Sequence, residues 1–382
     1  MTAAEVRERV RAGGLLPRGS GVVAMLSGGR DSVCLLDVAV ALCGAERVRA
    51  LHVNYGLRVE SDGDERHCRV LCEQLGVRIE VVRASRGEDP TGNLHAWARD
   101  LRYGAARALA ERLDEPAAED GSKQPAPRAR EGHSVFVATG HTASDQVETI
   151  LYRIAASPGR RALLGMSARE GRLVRPLLGL TRTETGDYCR ELNLAWREDV
   201  SNDSELYARA RVRHGLVKAL DEVHPAAQAN VLRTAALLRE ETELLDAAVE
   251  AELGARASIA IKRLAELPPA LQRLVVIRLA EDASGGFAPQ AGERVAEILA
   301  LGARGGRAEL HVGGLASAVI EDGELHMITI PPREQRPPGN NGRGHAEQGP
   351  GDEHDGPERH GADADERHEA DGPERHGADA DR

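Results

Sequence analysis

The stretch of sequence that decides the fold is VVAMLSGGRDSVCLL, at residues 22–36. Its first five residues are apolar and predict a buried strand, and a helical pattern begins at about Asp31. Between them lies SGGRDS, residues 27–32, whose two glycines allow positive φ and a close approach of the backbone to a ligand. The N–H groups of this turn and the helix N-terminus would face an anion, and the hydroxyls of Ser27 and Ser32 add donors. The stretch therefore predicts a phosphate-binding loop.

Short apolar runs alternate with helical patterns through the first 156 residues. The predicted strands are 22–26, 48–54, 77–84 and 134–139. The predicted helices are 31–43, 60–75, 91–113 and 143–155. Nearly continuous hydrophobicity is typical of buried parallel strands, so the alternation predicts an α/β fold with a doubly wound parallel sheet. A segment rich in Pro, Ala, Glu and Gly at 114–133 is expected to be a surface insertion.

The second half of the chain is predicted to be a smaller, mainly helical domain with a few terminal strands. Its helical patterns lie at 181–193, 204–221, 225–253, 262–281 and 289–301, after a connector at 160–180. Its strand patterns lie at 308–312, 316–321 and 324–330. We therefore expect a first domain at 1–180 and a second at 181–332.

Residues 333–382 form a polar tail in which DGPERHGADAD occurs twice, at 355–365 and 371–381. Such a composition buries too little surface to offset its ordering entropy, so we expect disorder rather than a metal-binding histidine tract. The tail holds 14 acidic and 7 basic residues, a net of −7 out of −11 for the chain. The remaining residues are only mildly acidic and contain arginine clusters, so an RNA partner is not excluded.

Cysteine usage and the N-terminus indicate a cytoplasmic protein with no membrane partner. The five cysteines are scattered and lack a CxxC pair, so we expect reduced thiols. The N-terminus has no apolar h-region, and no apolar run approaches the length of a membrane span.

Two carboxylates follow the fourth predicted strand, in ATGHTASDQVET at residues 138–149. Asp145 and Glu148 are three residues apart and share one helix face. Such a pair can hold Mg²⁺ or receive an incoming ammonium group, although capping of the first helical turn is the alternative. In the SGGRDS loop, Asp31 can likewise bind a Mg²⁺ ion that bridges phosphates.

Two further motifs end the second strand and open a helix. LHVNYGLR at 51–58 places His52 and Asn54 on one strand face, at the carboxyl end where open α/β sheets bind ligands. An equally supported alternative to ligand binding is that His52 is a histidine at the end of a strand whose hydrogen bonds are made within the protein. In NLHAWARDLRY at 93–103, Arg99 and Arg102 share a helix face, and Arg102 is equally a packing or surface arginine.

Arginines dominate the segment from 160 to 214. Arg175 precedes Pro176-Leu177-Leu178, and YARARVRH at 207–214 places Arg209 and Arg213 at i,i+4 on one face. Such a face suits a phosphate backbone, and a solvated basic helix is the alternative.

Together these motifs resemble those of the N-type ATP pyrophosphatases, or PP-loop proteins, and their order resembles the tRNA(Ile)-lysidine synthetase family. The resemblance implies ATP binding by Ser27, Gly28, Gly29, Arg30, Asp31, Ser32 and His52. It implies catalytic roles for Asp31, Arg99, Asp145 and Glu148, with Mg²⁺ at Asp31. It implies tRNA contacts at Arg175, Arg209, Arg211 and Arg213. The chain departs from the family pattern at Tyr55, His95, Ser144, Val200 and Ala210.

The family's reaction joins L-lysine to C2 of cytidine 34 in a tRNA(Ile) with a CAU anticodon, through an adenylated base that releases AMP. The resemblance also implies a homodimer. One alternative is a PP-loop tRNA thiolase, which would need reactive cysteines. Another is a non-catalytic nucleotide- or RNA-binding module, favoured by the departures at Tyr55, His95 and Ser144.

Overall fold

A computed structural model describes residues 1–57, 60–84, 94–115, 135–156, 159–198, 208–286 and 288–330, without the side chains of His95, Ala208 and Arg209. The predicted tail at 333–382 and almost all of the predicted insertion at 114–133 lie outside these residues. Met1–Ile330 form one compact unit.

The first half contains a six-stranded sheet. Its strands are β1 (Val22–Met25), β2 (Val48–Asn54), β3 (Arg78–Arg83), β4 (Phe136–Ala138), β5 (Arg169–Glu170) and β6 (Leu173–Val174). Their order is β3-β2-β1-β4-β6-β5, and every pairing is parallel except that of β5 with β6. The predicted parallel sheet is confirmed. The predicted connector at 160–180, however, contains β5 and β6, two-residue strands that extend the sheet.

Helices cover both faces of this sheet. They are α1 (Ala3–Ala12), α2 (Arg30–Cys43), α3 (Ser61–Gln74), α4 (Leu94–Asp114), α5 (Ala143–Ala156), α6 (Arg160–Leu163) and α7 (Arg182–Glu191). Alternate residues of β1 point to opposite faces. Val22 and Ala24 join the core that contains α1, α2, α3 and α7, whereas Val23 and Met25 join the core under α4. The sheet is therefore doubly wound, as expected.

The second half is mainly helical and ends in a small sheet. Its helices are α8 (Ala208–Arg211), α9 (Val217–Val223), α10 (Ala227–Leu253), α11 (Ile261–Glu266), α12 (Pro269–Ser284) and α13 (Val295–Arg304). Its strands are β7 (Ser258–Ala260), β8 (Ala308–Gly313), β9 (Ala316–Glu321) and β10 (Glu324–Thr329). They pair antiparallel in the order β7-β10-β9-β8 around a separate apolar core. The three predicted strands are confirmed, and β7 is an addition.

The two halves are in direct contact. Arg161 of α6 donates to both carboxylate oxygens of Glu281 on α12, at 2.5 and 2.6 Å. The domain boundary near residue 180 stays a prediction. In the described part of the chain, none of the helices combines the length and the apolar character that crossing a membrane requires.

Candidate active site

The SGGRDS loop (residues 27–32) joins β1 to α2 and is held in shape by its own hydroxyls. Ser32 Oγ donates to the Gly29 carbonyl at 2.7 Å and accepts from the Ser27 N–H at 3.2 Å. Gly28 has a φ of +87°, which favours glycine. Among the described residues, the N–H groups of Gly28, Arg30 and Asp31 have no hydrogen-bond acceptor. Three such donors at a helix N-terminus suit an anion.

Arg197 contacts this loop through its backbone and joins it to α3. The backbone N–H of Arg197 donates to the Gly28 carbonyl at 2.9 Å, and the Arg197 side chain pairs with Asp64 of α3 at 2.7 Å. The Gly28 carbonyl is therefore satisfied by a protein donor, and the contact fixes the backbone of the loop at this residue.

A close backbone contact joins Gly140, which follows β4, to the first turn of α2. A Cβ atom on Gly140 would lie 3.0 Å from the carbonyl carbon and oxygen of Asp31 and 3.1 Å from the nitrogen of Ser32. Only glycine permits this approach without displacement. As a result, the start of α5 lies directly beside the start of α2.

This approach brings together three carboxylates, Asp31, Asp145 and Glu148, called here the carboxylate cluster. Asp145 Oδ2 accepts from both the N–H and the hydroxyl of Thr142, each at 2.8 Å, so it does cap the first turn of α5. Asp31 Oδ1 accepts from Thr185 at 2.5 Å. Burial raises the pKa of Asp31 above its usual value of 3.8, and the charge of Asp145 adds to the rise against the Thr185 hydrogen bond.

Arg182, at the first turn of α7, lies among all three carboxylates and was missed by the sequence reasoning. Its guanidinium is 2.9 Å from Asp145, 3.4 Å from Glu148 and 3.6 Å from Asp31. Its backbone N–H donates to Ser144 Oγ at 3.2 Å. Arg182 is therefore a shared counter-ion for the carboxylate cluster.

Besides Arg182 and Arg30, whose Nε lies 3.6 Å from Asp31 Oδ1, Arg213 is a further guanidinium of the site. It forms two hydrogen bonds with Glu148, at 2.7 and 3.1 Å, from a π-helical turn at Val212–Leu216 between α8 and α9. Such turns often occur at functional sites. Arg211, two residues earlier, is exposed, and the side chain of Arg209 lies outside the described set.

The end of β2 supplies a buried histidine beside the loop. His52 Nδ1 lies 2.9 Å from the Leu26 carbonyl, and its Nε2 is buried with no partner among the described residues. Tyr55, a departure from the family pattern, donates its hydroxyl to the Ala98 carbonyl at 3.0 Å and packs edge-on against Trp97. Tyr55 thus ties the end of β2 to the start of α4.

The structure does not bring two of the expected residues into the carboxylate cluster. Arg99 is exposed and stacks on the Tyr103 ring at 4.5 Å, and no described hydrogen bond or ion pair joins it to the cluster. Its catalytic role stays a prediction. Arg175 is buried, at 3% exposure, and donates to the Ser167 carbonyl and to Glu170. A buried guanidinium that holds the β5–β6 hairpin does not fit the expected contact with RNA.

The residues of the site fit a Mg²⁺ ion that is held jointly by a carboxylate and by the phosphates of a substrate. Among the residues that the structure describes, no three His, Cys, Asp or Glu side chains are arranged to hold a metal ion. Mg²⁺ commonly takes one or two carboxylates together with substrate phosphates, however. Asp31 Oδ2 accepts no hydrogen bond from the described residues and lies beside the SGGRDS loop, so it can serve as such a ligand.

Comparison with known proteins gives the family. The PP-loop domain family matches residues 7–116 and 127–220. A tRNA(Ile)-lysidine synthase from Pseudomonas fluorescens (strain Pf0-1) is 35% identical over 234 residues, which cover 59% of this chain and 48% of that protein. Another from Gloeobacter violaceus is 35% identical over 288 residues, which cover 72% of this chain and 81% of that protein.

The chain spans about half the length of the relatives from Pseudomonas. Among solved structures, the U34-tRNA thiolase NcsA from Methanococcus maripaludis aligns over 62% of this chain and 78% of its own, at 18% identity and a TM-score of 0.48. The family match covers more than half of this chain, and the Gloeobacter relative is matched over most of its length. The chain therefore belongs to the PP-loop domain family and, within it, to the tRNA(Ile)-lysidine synthases.

Proposed function

We propose that this protein uses ATP to ligate L-lysine to C2 of cytidine 34 in the CAU anticodon of tRNA(Ile). The observation that carries the proposal is that three carboxylates converge with the guanidinium groups of Arg182 and Arg213 beside an N–H-lined loop, in a chain whose relatives are named tRNA(Ile)-lysidine synthase. A cytoplasmic location and a homodimer are part of the proposal and are supported by the family resemblance.

In the first step, the C2 carbonyl oxygen of the cytidine attacks the α-phosphate of ATP, and pyrophosphate leaves. The free N–H groups of the SGGRDS loop would bind the leaving pyrophosphate. Arg182 and Arg213 would neutralise charge that develops on the α-phosphate, because both guanidinium groups are already oriented by carboxylates. Mg²⁺ held at Asp31 would add positive charge beside the same phosphates.

In the second step, the ε-amine of lysine attacks C2, the C2–O bond breaks, and AMP leaves with that oxygen. The attacking amine must be neutral, so its proton passes to a base. Asp145 is better placed than Glu148, because among the described residues Asp145 Oδ1 accepts only from Arg182, whereas both oxygens of Glu148 accept from Arg213. We propose that Asp145 orients the lysine ammonium and that Glu148 holds the two arginines.

A tRNA thiolase is the second candidate, and the cysteines disfavour it. All five are buried. Burial raises the pKa of Cys43 to about 11 and that of Cys68 and Cys72 to about 12. A thiol that handles sulfur needs an accessible thiolate with a lowered pKa.

The test supplies the full chain with ATP, labelled lysine and a tRNA(Ile) transcript that carries CAU. Lysine fixed to the RNA with release of AMP supports the proposal, and Asp31→Asn should abolish it. Asp187→Asn is the control and should be active, since the Asp187 side chain is 40% exposed and pairs with Arg190 of the same helix. Incorporation that depends on a sulfur donor would indicate a thiolase. ATP binding without turnover would indicate a non-catalytic module.

A further inference from the structure

A cavity of about 650 Å³ opens beside the first turn of α5, next to the carboxylate cluster but outside it. One wall is the start of α5, with Gln146. The second is the loop at 166–169, and the third is α10, with Arg233 and Arg239. Gly179 contributes to the lining between the first two walls. The function proposed above uses none of these side chains.

The loop wall is fixed by several side chains that bind its backbone. Gln146 donates to the Met166 carbonyl at 2.7 Å and accepts from the Met166 N–H at 2.6 Å. Arg239 also donates to the Met166 carbonyl, at 3.1 Å, and Arg153 donates to the Gly165 carbonyl at 2.5 Å. Gly165 has a φ of +65°, and a Cβ there would lie 2.5 Å from Gln146. The cavity is therefore preformed rather than a gap between mobile segments.

The lining is positively charged. It contains Arg169, Arg233 and Arg239, and none of its residues is Asp or Glu. Arg169 stacks on the Phe136 ring at 4.9 Å. Arg233 is exposed and has no hydrogen bond or ion pair with any residue that the structure describes. Unneutralised guanidinium groups around a partly apolar cavity suit a phosphodiester and its base.

We propose that this cavity binds a nucleotide of the substrate RNA next to the modified base, with its phosphate at Arg233. The inference rests on the function proposed above. Ala143 and Gln146 line the cavity, and Asp145 lies between them in sequence on the same helical turn and faces Arg182. A single-stranded RNA segment can therefore occupy both sites at once.

Two other ligands of this reaction fit the cavity less well. Free lysine carries two ammonium groups at neutral pH, and the cavity offers no carboxylate to either. ATP is accounted for by the SGGRDS loop at the start of α2. The cavity instead lies past β4, toward the β6–β5 edge of the sheet.

The test measures binding of the tRNA(Ile) anticodon stem-loop with CAU to the full chain, at several salt concentrations. Arg233→Ala should weaken binding about five- to tenfold at low salt and reduce the salt slope by about 0.7, the value for one phosphate on a single strand. Arg307→Ala is the matched control, an exposed arginine far along the chain with no described partner, and should change neither quantity.

Filling the cavity gives an independent readout. A Cβ on Gly179 meets no atom within 4 Å, so Gly179→Leu should fold and should weaken RNA binding about tenfold by occupying the space. Gly104→Leu, at an equally open position on the exposed face of α4, is the control. Both variants should bind an ATP analogue as the wild-type chain does.

The outcomes separate this inference from the proposed function. If the wild-type chain binds no RNA, both fail. If it binds and modifies RNA but the Arg233 and Gly179 variants match their controls, the cavity assignment alone is overturned. A raised KM for lysine in Gly179→Leu, with RNA binding unchanged, would also overturn it, in favour of a lysine site.

Discussion

Substitution of Gly140 by alanine tests the contact that assembles the site. The added Cβ would lie 3.0 Å from the carbonyl carbon and oxygen of Asp31 and 3.1 Å from the nitrogen of Ser32. Carbon atoms normally pack at about 3.5–4.0 Å, so either β4 or the start of α2 must shift by roughly half an ångström. The neighbours are backbone atoms of the phosphate-binding turn, which cannot rotate away as a side chain can.

Two effects of different size follow from this shift. Overpacking of this kind costs about 1–3 kcal/mol of unfolding free energy. A shift of Asp31 and the loop N–H groups by a fraction of an ångström should lower ligation roughly tenfold or more, since misplacement by about 1 Å costs on the order of a hundredfold. Urea denaturation measures the first effect. Binding of an ATP analogue and incorporation of labelled lysine measure the second.

Gly104→Ala is the matched control for this substitution. Gly104 lies on the exposed face of α4, where a Cβ meets nothing within 4 Å, so alanine there should stabilise the helix by about 0.5–1 kcal/mol and leave activity unchanged. If Gly140→Ala binds the ATP analogue and incorporates lysine as well as the Gly104 variant does, the Gly140 contact does not assemble the site.

Three further predictions concern individual side chains. Arg182→Ala should lower lysine incorporation about a hundredfold, since the carboxylate cluster loses its shared counter-ion. Arg182→Lys should recover only part of the lost activity, because an ammonium group cannot match the planar guanidinium fork. Steady-state kinetics of lysine incorporation distinguishes the two variants. Ser144→Ala should cost about 1 kcal/mol in urea denaturation by leaving the Arg182 N–H without its acceptor, and Ser144→Asp should restore it. The Arg83 hydrogen bonds hold the pKa of Glu65 at about 2, below its usual 4.5, so Glu65 stabilises the fold above pH 4.5 and loses that contribution as the pH falls toward 2. Glu65→Gln should therefore lower the free energy of unfolding by about 1–2 kcal/mol at pH 7, a figure reduced because Arg83 is exposed. In acid-dependent unfolding, the difference in stability between Glu65→Gln and the wild-type chain should shrink toward zero near pH 2.

The strands of the first sheet were predictable because buried parallel strands are short apolar runs, and β1 and β2 begin where the pattern places them. Helix α1 was missed, although Thr2 and Glu5 form a capping box and Val6 and Val10 lie on one buried face. Strands β5 and β6 could not be predicted, since two residues are too few for any periodicity. Their pairing depends on β4, which is remote in sequence.

The carboxylate cluster was predictable in part from topology. The carboxyl ends of β1 and β4 are adjacent in the sheet, so residues that follow them meet at one edge. Arg182 does not come directly after a predicted strand, so the topology of the sheet does not place it. Only the packing of α7 against α2 brings it to the cluster. One signal was available, because Thr181 and Glu184 form a capping box that fixes Arg182 as the first helical residue. For Arg175, the sequence could not separate a buried arginine from an exposed one.

Among the residues that differ from the family pattern, Ser144 most favoured a non-catalytic module. Its contacts argue against that interpretation. Its hydroxyl accepts from the N–H of Arg182, so it satisfies the first donor of α7 from a neighbouring helix. An aspartate there would accept the same hydrogen bond and would add a fourth carboxylate near Arg182. Serine therefore keeps the contact that orients Arg182 and removes only a charge. A less acidic cluster repels the phosphates of ATP less, so this substitution is compatible with an active site.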